Sequence, residues 1–227
     1  TINSISLKAC SSLTLTAIQR FYSYRYYSLF SSSFSDGGKV QNESGIYLGA
    51  KWSPLSRLSI LAYSDYAYFP WARYTTSKTS HSWDNMLQTT YTISRRLTLS
   101  TRYRLRIRQQ DYNDAETTKK KILINKTEHR ARLSLAYNGK HFNAKTQIDG
   151  AYAVFPSGMQ GLENSCGGMI MQTIGYNHDA ITVAVNVGYF NTQDYNSRIY
   201  AYERSTLYSF SFPMYYGEGM RGALFVR

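Results

Sequence analysis

An all-β fold, an antiparallel transmembrane β-barrel, is what this sequence predicts, and three observations carry the expectation. Apolar and polar residues alternate with a period of two in segment after segment, the mark of strands with one face toward lipid and the other toward water. The connections between those segments are short and long in turn. In LTLSTRYRLRIR (97–108), four arginines, Arg102, Arg104, Arg106 and Arg108, take every second position. On a helix they would scatter around the cylinder, but on a strand they stand in one row.

Composition sets the limits. Aromatic residues make up 15% of the 227 residues, with 22 tyrosines, while charged residues make up only 18%. No apolar run reaches the roughly 18 residues that a membrane-spanning helix needs, which excludes a helical membrane protein. A membrane barrel stays open, because alternating strands average to a polar-looking sequence. The start, TINSISLKAC, lacks the basic-then-apolar order of a secretion signal. The expectation is that a signal has been removed or that the chain begins inside a longer protein.

Taken in order, SISLKA (4–9) is a candidate first strand, followed by one from about residue 13. Residues 46–52 place Ile46, Leu48, Ala50 and Trp52 on one face, and residues 58–68 do the same with Leu58, Ile60, Ala62, Tyr66 and Tyr68. Residues 84–93 and 168–176 fit less clearly, and the second shows no assignable faces. Residues 97–108 set Leu97, Leu99, Thr101, Tyr103, Leu105 and Ile107 against the arginines. Residues 128–137 set His129, Ala131, Leu133, Leu135 and Tyr137 against Glu128, Arg130, Arg132 and Ser134. In 141–154, Phe142, Ile148 and Tyr152 share a face opposite Lys145, Gln147 and Asp149, with an aromatic near each end about one bilayer crossing apart. Residues 181–189 and 220–227 complete the series. Short connections fall at 53–57, 94–96, 138–140 (Asn138-Gly139, a strong hairpin signal) and 177–180. Long ones fall at 22–44, 70–82, 109–126, 156–167 and 191–218. Short turns on one rim and long loops on the other describe a barrel inserted from the periplasm. The count is ten or eleven strands here, within one barrel domain spanning 1–227, and 12 or more strands in a full barrel of which this chain is part.

The net charge is +12, and it is concentrated. From Arg95 to Lys145, fourteen basic residues face four acidic ones, so +10 lies within 51 residues. Arg102, Arg104, Arg106, Arg108, Arg130, Arg132 and Lys145 form an expected basic wall of the lumen. Like charges in one row repel, so they require acids opposite or bound anions; Glu128, Asp149 and Asp65 are the candidate lumen acids. Trp52, Tyr66, Tyr137, Phe142, Tyr152 and Tyr189 are the expected lipid-interface aromatics. The tyrosine-rich loop YSYRYYSLFSSSFSD (22–36) is read as covering the rim, with stacking on a sugar, base or partner as the alternative.

Searches for chemistry come up empty. His81, His129, His141 and His178 have no metal-ligand spacing, and no nucleophile elbow occurs. Cys10 and Cys166 carry no spacing that decides between a bridge and two free thiols. GEGMRG (217–222) spells a dinucleotide fingerprint but lacks the strand–turn–helix context that gives it meaning. Asn125-Lys126-Thr127 matches a glycosylation acceptor by chance. No metal, cofactor or enzymatic activity is expected.

FSDGGKVQNESGIYLGAKWSP (34–54), FPWARY (69–74) and DYNSRIYAYERSTLYSFSFPMYYGEGMRGALFVR (194–227) resemble the C-terminal barrel of Bacteroidota outer-membrane proteins that also carry an N-terminal helix-hairpin-helix domain. The resemblance implies a barrel in a bacterial outer membrane and, by analogy with competence proteins, a link to DNA handling. Three functions are therefore expected in turn. The first is a channel or translocation pore whose basic lumen favours anionic cargo. The second is a structural or accessory subunit of a larger outer-membrane complex, and the third is a component that binds nucleic acid during uptake. The corresponding partners are outer-membrane lipid, other outer-membrane or periplasmic proteins, and anionic solutes or nucleic acid.

Overall fold

A computed structural model describes residues 1–27, 30–113, 121–159, 161–178, 181–203 and 212–227. Asp114, Glu116, Lys119 and Lys120 of the basic stretch lie outside the described residues. So do Ser28 and Leu29 of the aromatic loop and Asp179 and Ala180 of the last short turn.

The chain is nearly all antiparallel β. Its strands are β1 (Ile2–Cys10), β2 (Leu13–Tyr22), β3 (Glu43–Leu55), β4 (Leu58–Phe69), β5 (Ser80–Thr92), β6 (Leu97–Asn113), β7 (Lys121–Asn138), β8 (Phe142–Val154), β9 (Ser165–His178) and β10 (Ile181–Thr192), then a ribbon of β11 (Ile199–Tyr200) and β12 (Met214–Tyr215), and finally β13 (Glu218–Val226). β1 to β10 pair in sequence order and β13 follows β10, giving one eleven-stranded sheet. The sheet is not closed into a barrel. Each neighbouring pair is antiparallel, so the first and the eleventh strand run the same way and cannot pair in the pattern that joins the rest.

Alternation divides the sheet into two faces. One carries Leu48, Trp83, Tyr103, Leu133, Ile148, Ile170 and Val187, all among its exposed large apolar side chains. A contiguous apolar surface of this extent marks a membrane or protein contact. The opposite, polar face buries Arg20, Glu43, Asp84 and Asp149. Among the described residues no helix is long and apolar enough to cross a membrane. An all-β fold with this segregation is compatible with a membrane β-barrel.

Several boundaries differ from the alternation reading. β5 begins at Ser80, β6 continues to Asn113 and β7 starts at Lys121, so the expected loop 109–126 is mostly strand. The extension is anchored from the side: Asp111 accepts hydrogen bonds from the Ser77 backbone N–H (2.8 Å) and hydroxyl (3.2 Å) in the neighbouring loop. The 191–218 connection contains the β11–β12 ribbon. At the Asn138-Gly139 hairpin neither residue has a positive φ. Gly139 is required there for close approach instead, since a Cβ would lie 2.8 Å from the Phe142 carbonyl oxygen.

β2, β3 and β4 are locked together on the polar face by one buried cation. The Arg20 side chain is fully buried and donates through Nε to Glu43 and through its two terminal nitrogens to Asp65, at 2.7 and 3.2 Å. The fork lies over Gly45, where a Cβ would meet the guanidinium carbon at 2.6 Å. Removing one partner of such a group leaves a buried charge unpaired. Arg20→Ala is expected to lower stability by about 3–5 kcal/mol, read as a fall in the urea midpoint of lipid- or detergent-reconstituted protein. Gly45→Ala should act in the same direction by displacing the fork.

Candidate functional site: the arginine row

The polar face of β6 presents Arg102, Arg104, Arg106 and Arg108, with about 6.8 Å between successive Cα positions. Across to β7, Arg102 lies opposite Arg132, Arg104 opposite Arg130, Arg106 opposite Glu128 and Arg108 opposite Lys126. At an effective dielectric near 20, adjacent like charges at that spacing repel by roughly 2 kcal/mol. The row therefore needs anions close by.

Four carboxylates supply much of the compensation. Asp84, opposite Arg106 in the β5–β6 register, accepts hydrogen bonds from Arg104 through both oxygens and lies 3.4 Å from Arg106. Asp36, in the loop between β2 and β3, pairs with Arg106 at 2.5 Å and Arg108 at 3.1 Å and accepts a hydrogen bond from Ser82 at 2.7 Å. Glu128 holds Lys126 at 2.8 Å and Arg130 at 3.5 Å. Asp149, opposite Arg132, pairs with it and accepts from the Gln147 amide at 2.6 Å. Asp65 lies on the same face but serves Arg20.

Asp84 and Asp36 are absent from the acids that alternation singles out. Asp84 belongs to a strand whose faces are unclear in the sequence. Asp36 lies 70 positions before Arg106, in a polar loop where no periodicity operates. Its signal exists only in three dimensions. Glu43 accepts from the Asp36 and Gly37 N–H groups at 2.9 and 3.0 Å, so the Arg20 site and the arginine row share one loop turn. The aromatic loop follows it onto the polar face: Phe34 packs against Arg20 at 5.0 Å and edge-on to Tyr47.

The β11–β12 ribbon covers another part of this face. Ile199, Ala201 and Tyr215 pack in a buried cluster with Ala151, Met169 and Met171. Arg132 donates to the Tyr200 carbonyl at 2.8 Å, and Lys126 donates to Asn196 at 3.1 Å. Between the ribbon and the sheet is a cavity of about 350 Å³ lined by Arg102, Arg104, Arg130 and Arg132 with Tyr63 and Tyr200. A second, of similar volume, is lined by Lys145, Gln147 and Tyr202. Among the described residues no carboxylate comes within ion-pair distance of Arg102 or Lys145. Among the described residues, these are the two cations of the wall without a direct carboxylate partner.

The aromatics assigned to the interface lie on the apolar face. Trp52, Tyr66, Phe142, Tyr152 and Tyr189 are each exposed, and Tyr137, half-buried, packs against Phe142. Tyr103 hydrogen-bonds His129 at 2.8 Å on this face, which gives that histidine a structural partner. No group of metal-ligating side chains occurs among the described residues. Cys10 and Cys166 are free and exposed thiols.

Burial alone would raise the Asp36 carboxyl, but Arg108 and Arg106 beside it hold it well below the usual carboxylate range. A depressed folded value means that its contribution is complete above the unfolded value near 3.9 and is lost as pH falls from there toward the folded value. Hydrogen exchange of the 36–42 amides, corrected for intrinsic rate, is therefore expected to be slow at neutral pH and to accelerate below about pH 4. In Asp36→Asn it should be fast at every pH.

No family model, curated protein or solved structure matches the chain.

Proposed function

We propose that the chain is part of a bacterial outer-membrane β-barrel whose basic polar face forms the wall of a passage favouring anionic solutes. The observation that carries this reading is the charge imbalance on a sheet with an exposed apolar back. Arg102, Arg104, Arg106, Arg108, Lys126, Arg130, Arg132 and Lys145 stand on one wall against Asp36, Asp84, Glu128 and Asp149. Paired arginines fix the two inward-folded segments, while Arg102 and Lys145 remain to attract an anion. A wall of one sign beside low-dielectric protein raises the local concentration of the opposite charge.

The division of labour separates the residues to test. Arg104, Arg106, Arg108 and Arg132 hold carboxylates or backbone, so replacing them disturbs the structure. Arg130 also holds a carboxylate, Glu128, so neutralising only Arg102 and Lys145 to glutamine removes attraction with less structural cost. In planar bilayers with a salt gradient, the Arg102→Gln, Lys145→Gln double variant is expected to move the reversal potential toward weaker anion preference. An unchanged potential would refute the passage.

A second reading, an accessory subunit of a larger outer-membrane assembly, is favoured by the open edges of the sheet. Absence of conductance, together with purification as a stable complex, would select it over the first.

A further inference from the structure

A further cavity on the polar face, of about 230 Å³, is lined by Arg104, Arg106, Arg108, Arg130 and Arg198 with Glu128. It shares Arg104, Arg130 and Tyr200 with the cavity of about 350 Å³ between ribbon and sheet, so the two adjoin. Four of the five arginines come from β6 and β7, where register makes them neighbours whatever the cavity holds. The fifth is brought there separately. Arg198 follows a single helical turn, Tyr195–Ser197, capped by Asp194, which accepts from the Asn196 and Ser197 N–H groups at 2.8 and 3.2 Å and from the Ser165 hydroxyl of β9. Its guanidinium is fixed by donating to the Tyr195 carbonyl at 2.7 Å and the Tyr200 hydroxyl at 3.0 Å.

This connection therefore carries a guanidinium to a wall already rich in arginine, where like charges repel. Among the described residues no carboxylate lies within ion-pair distance of Arg198. The five arginines, with the Lys126 that shares Glu128, make six cations against Asp36, Asp84 and Glu128, an excess of three. Donors are left over as well. Arg106 and Arg108 each spend one terminal nitrogen on Asp36, and the Nε–H of each is buried without a hydrogen-bond acceptor among the described residues. An acceptor in the cavity would recover what an unpaired buried donor costs.

Guanidinium forks match phosphate oxygens two at a time, and a phosphate group brings about two negative charges at neutral pH. The adjoining cavity adds Tyr63, Met86 and Ile199 beside its arginines, surfaces suited to an organic ring or chain. We propose that the chamber between β6, β7 and Arg198 binds a phosphate group, either free phosphate or the phosphoryl end of a small phosphomonoester whose organic part enters the adjoining cavity. The inference names the anion for the proposed passage and rests on that reading of the polar face as open to solutes.

The test is calorimetric titration of the purified protein in detergent, at pH 8 and constant ionic strength, with inorganic phosphate and with glucose 6-phosphate. Saturable binding is expected, each probe competing with the other. Tighter glucose 6-phosphate assigns the adjoining cavity to the organic part, and tighter inorganic phosphate assigns the site to the free anion. Arg198→Gln should weaken binding about tenfold. Arg95→Gln, which removes one charge from the exposed 93–96 turn, should leave it unchanged. No saturable binding, or an equal loss in both variants, would overturn the proposal. Without phosphate, Arg198→Gln should unfold no earlier than the parent, because it relieves repulsion; an earlier midpoint with unchanged phosphate affinity would make Arg198 structural and refute the site. Saturable binding without anion-selective conductance in planar bilayers keeps the site and refutes the passage. Selective conductance without saturable binding does the reverse.

Discussion

Repulsion within the arginine row is the constraint around which the polar face is arranged. Four guanidiniums on one strand, two of them opposite further arginines on β7, cannot share a half-buried surface without counter-charges. The fold meets the constraint with acids from four places: β5 gives Asp84, β7 gives Glu128, β8 gives Asp149 and the loop between β2 and β3 gives Asp36. Three of these sit on strands and are positioned by register. The fourth has to be delivered by a loop, and that loop is itself held by Glu43, the partner of Arg20.

The consequence is a continuous electrostatic path across β2 to β6. Arg20 ties β2 to β3 and β4, Glu43 carries the connection to the Asp36 turn, and Asp36 carries it to β6. Charges buried this way add less to stability than their Coulomb energies suggest, because desolvation opposes them. Their effect is to select one position for the loop. The ribbon after β10 is held differently, mainly by apolar packing of Ile199, Ala201 and Tyr215 on β8 and β9, with Arg132 and Lys126 adding hydrogen bonds at its margin. Two segments folded onto the polar face, one held electrostatically and one by apolar packing, leave Arg102 and Lys145 lining cavities next to the second of them.

How much was legible from the sequence varied with what each strand packs against. In 97–108, 128–137 and 141–154, one face meets polar groups and the other is apolar and exposed, so the period of two survives in the residue types. In 168–176 it does not. Met169 and Met171 are buried beneath the ribbon while Ile170 and Ile174 are exposed on the other face. With apolar residues on both sides, alternation vanishes from the sequence although the geometry persists. The strand starting at Ser80 escaped for the opposite reason, since Ser80 and Ser82 are buried, the first against Arg73 and Thr76 and the second against Asp36, yet read as loop residues. The 109–126 stretch reads as loop because its residues are polar, but Asp111 makes the side contact that carries β6 further.

By itself the sequence determined the strand class, the parity of most faces and the row of like charges, because a side chain's face in a strand depends only on its position along the chain. Only the tertiary structure decided which acids answer the arginines, which cations lack a partner among the described residues and whether the sheet closes. Those depend on register and on where loops return, and contacts between residues as distant as Asp36 and Arg106 leave no local periodicity to read.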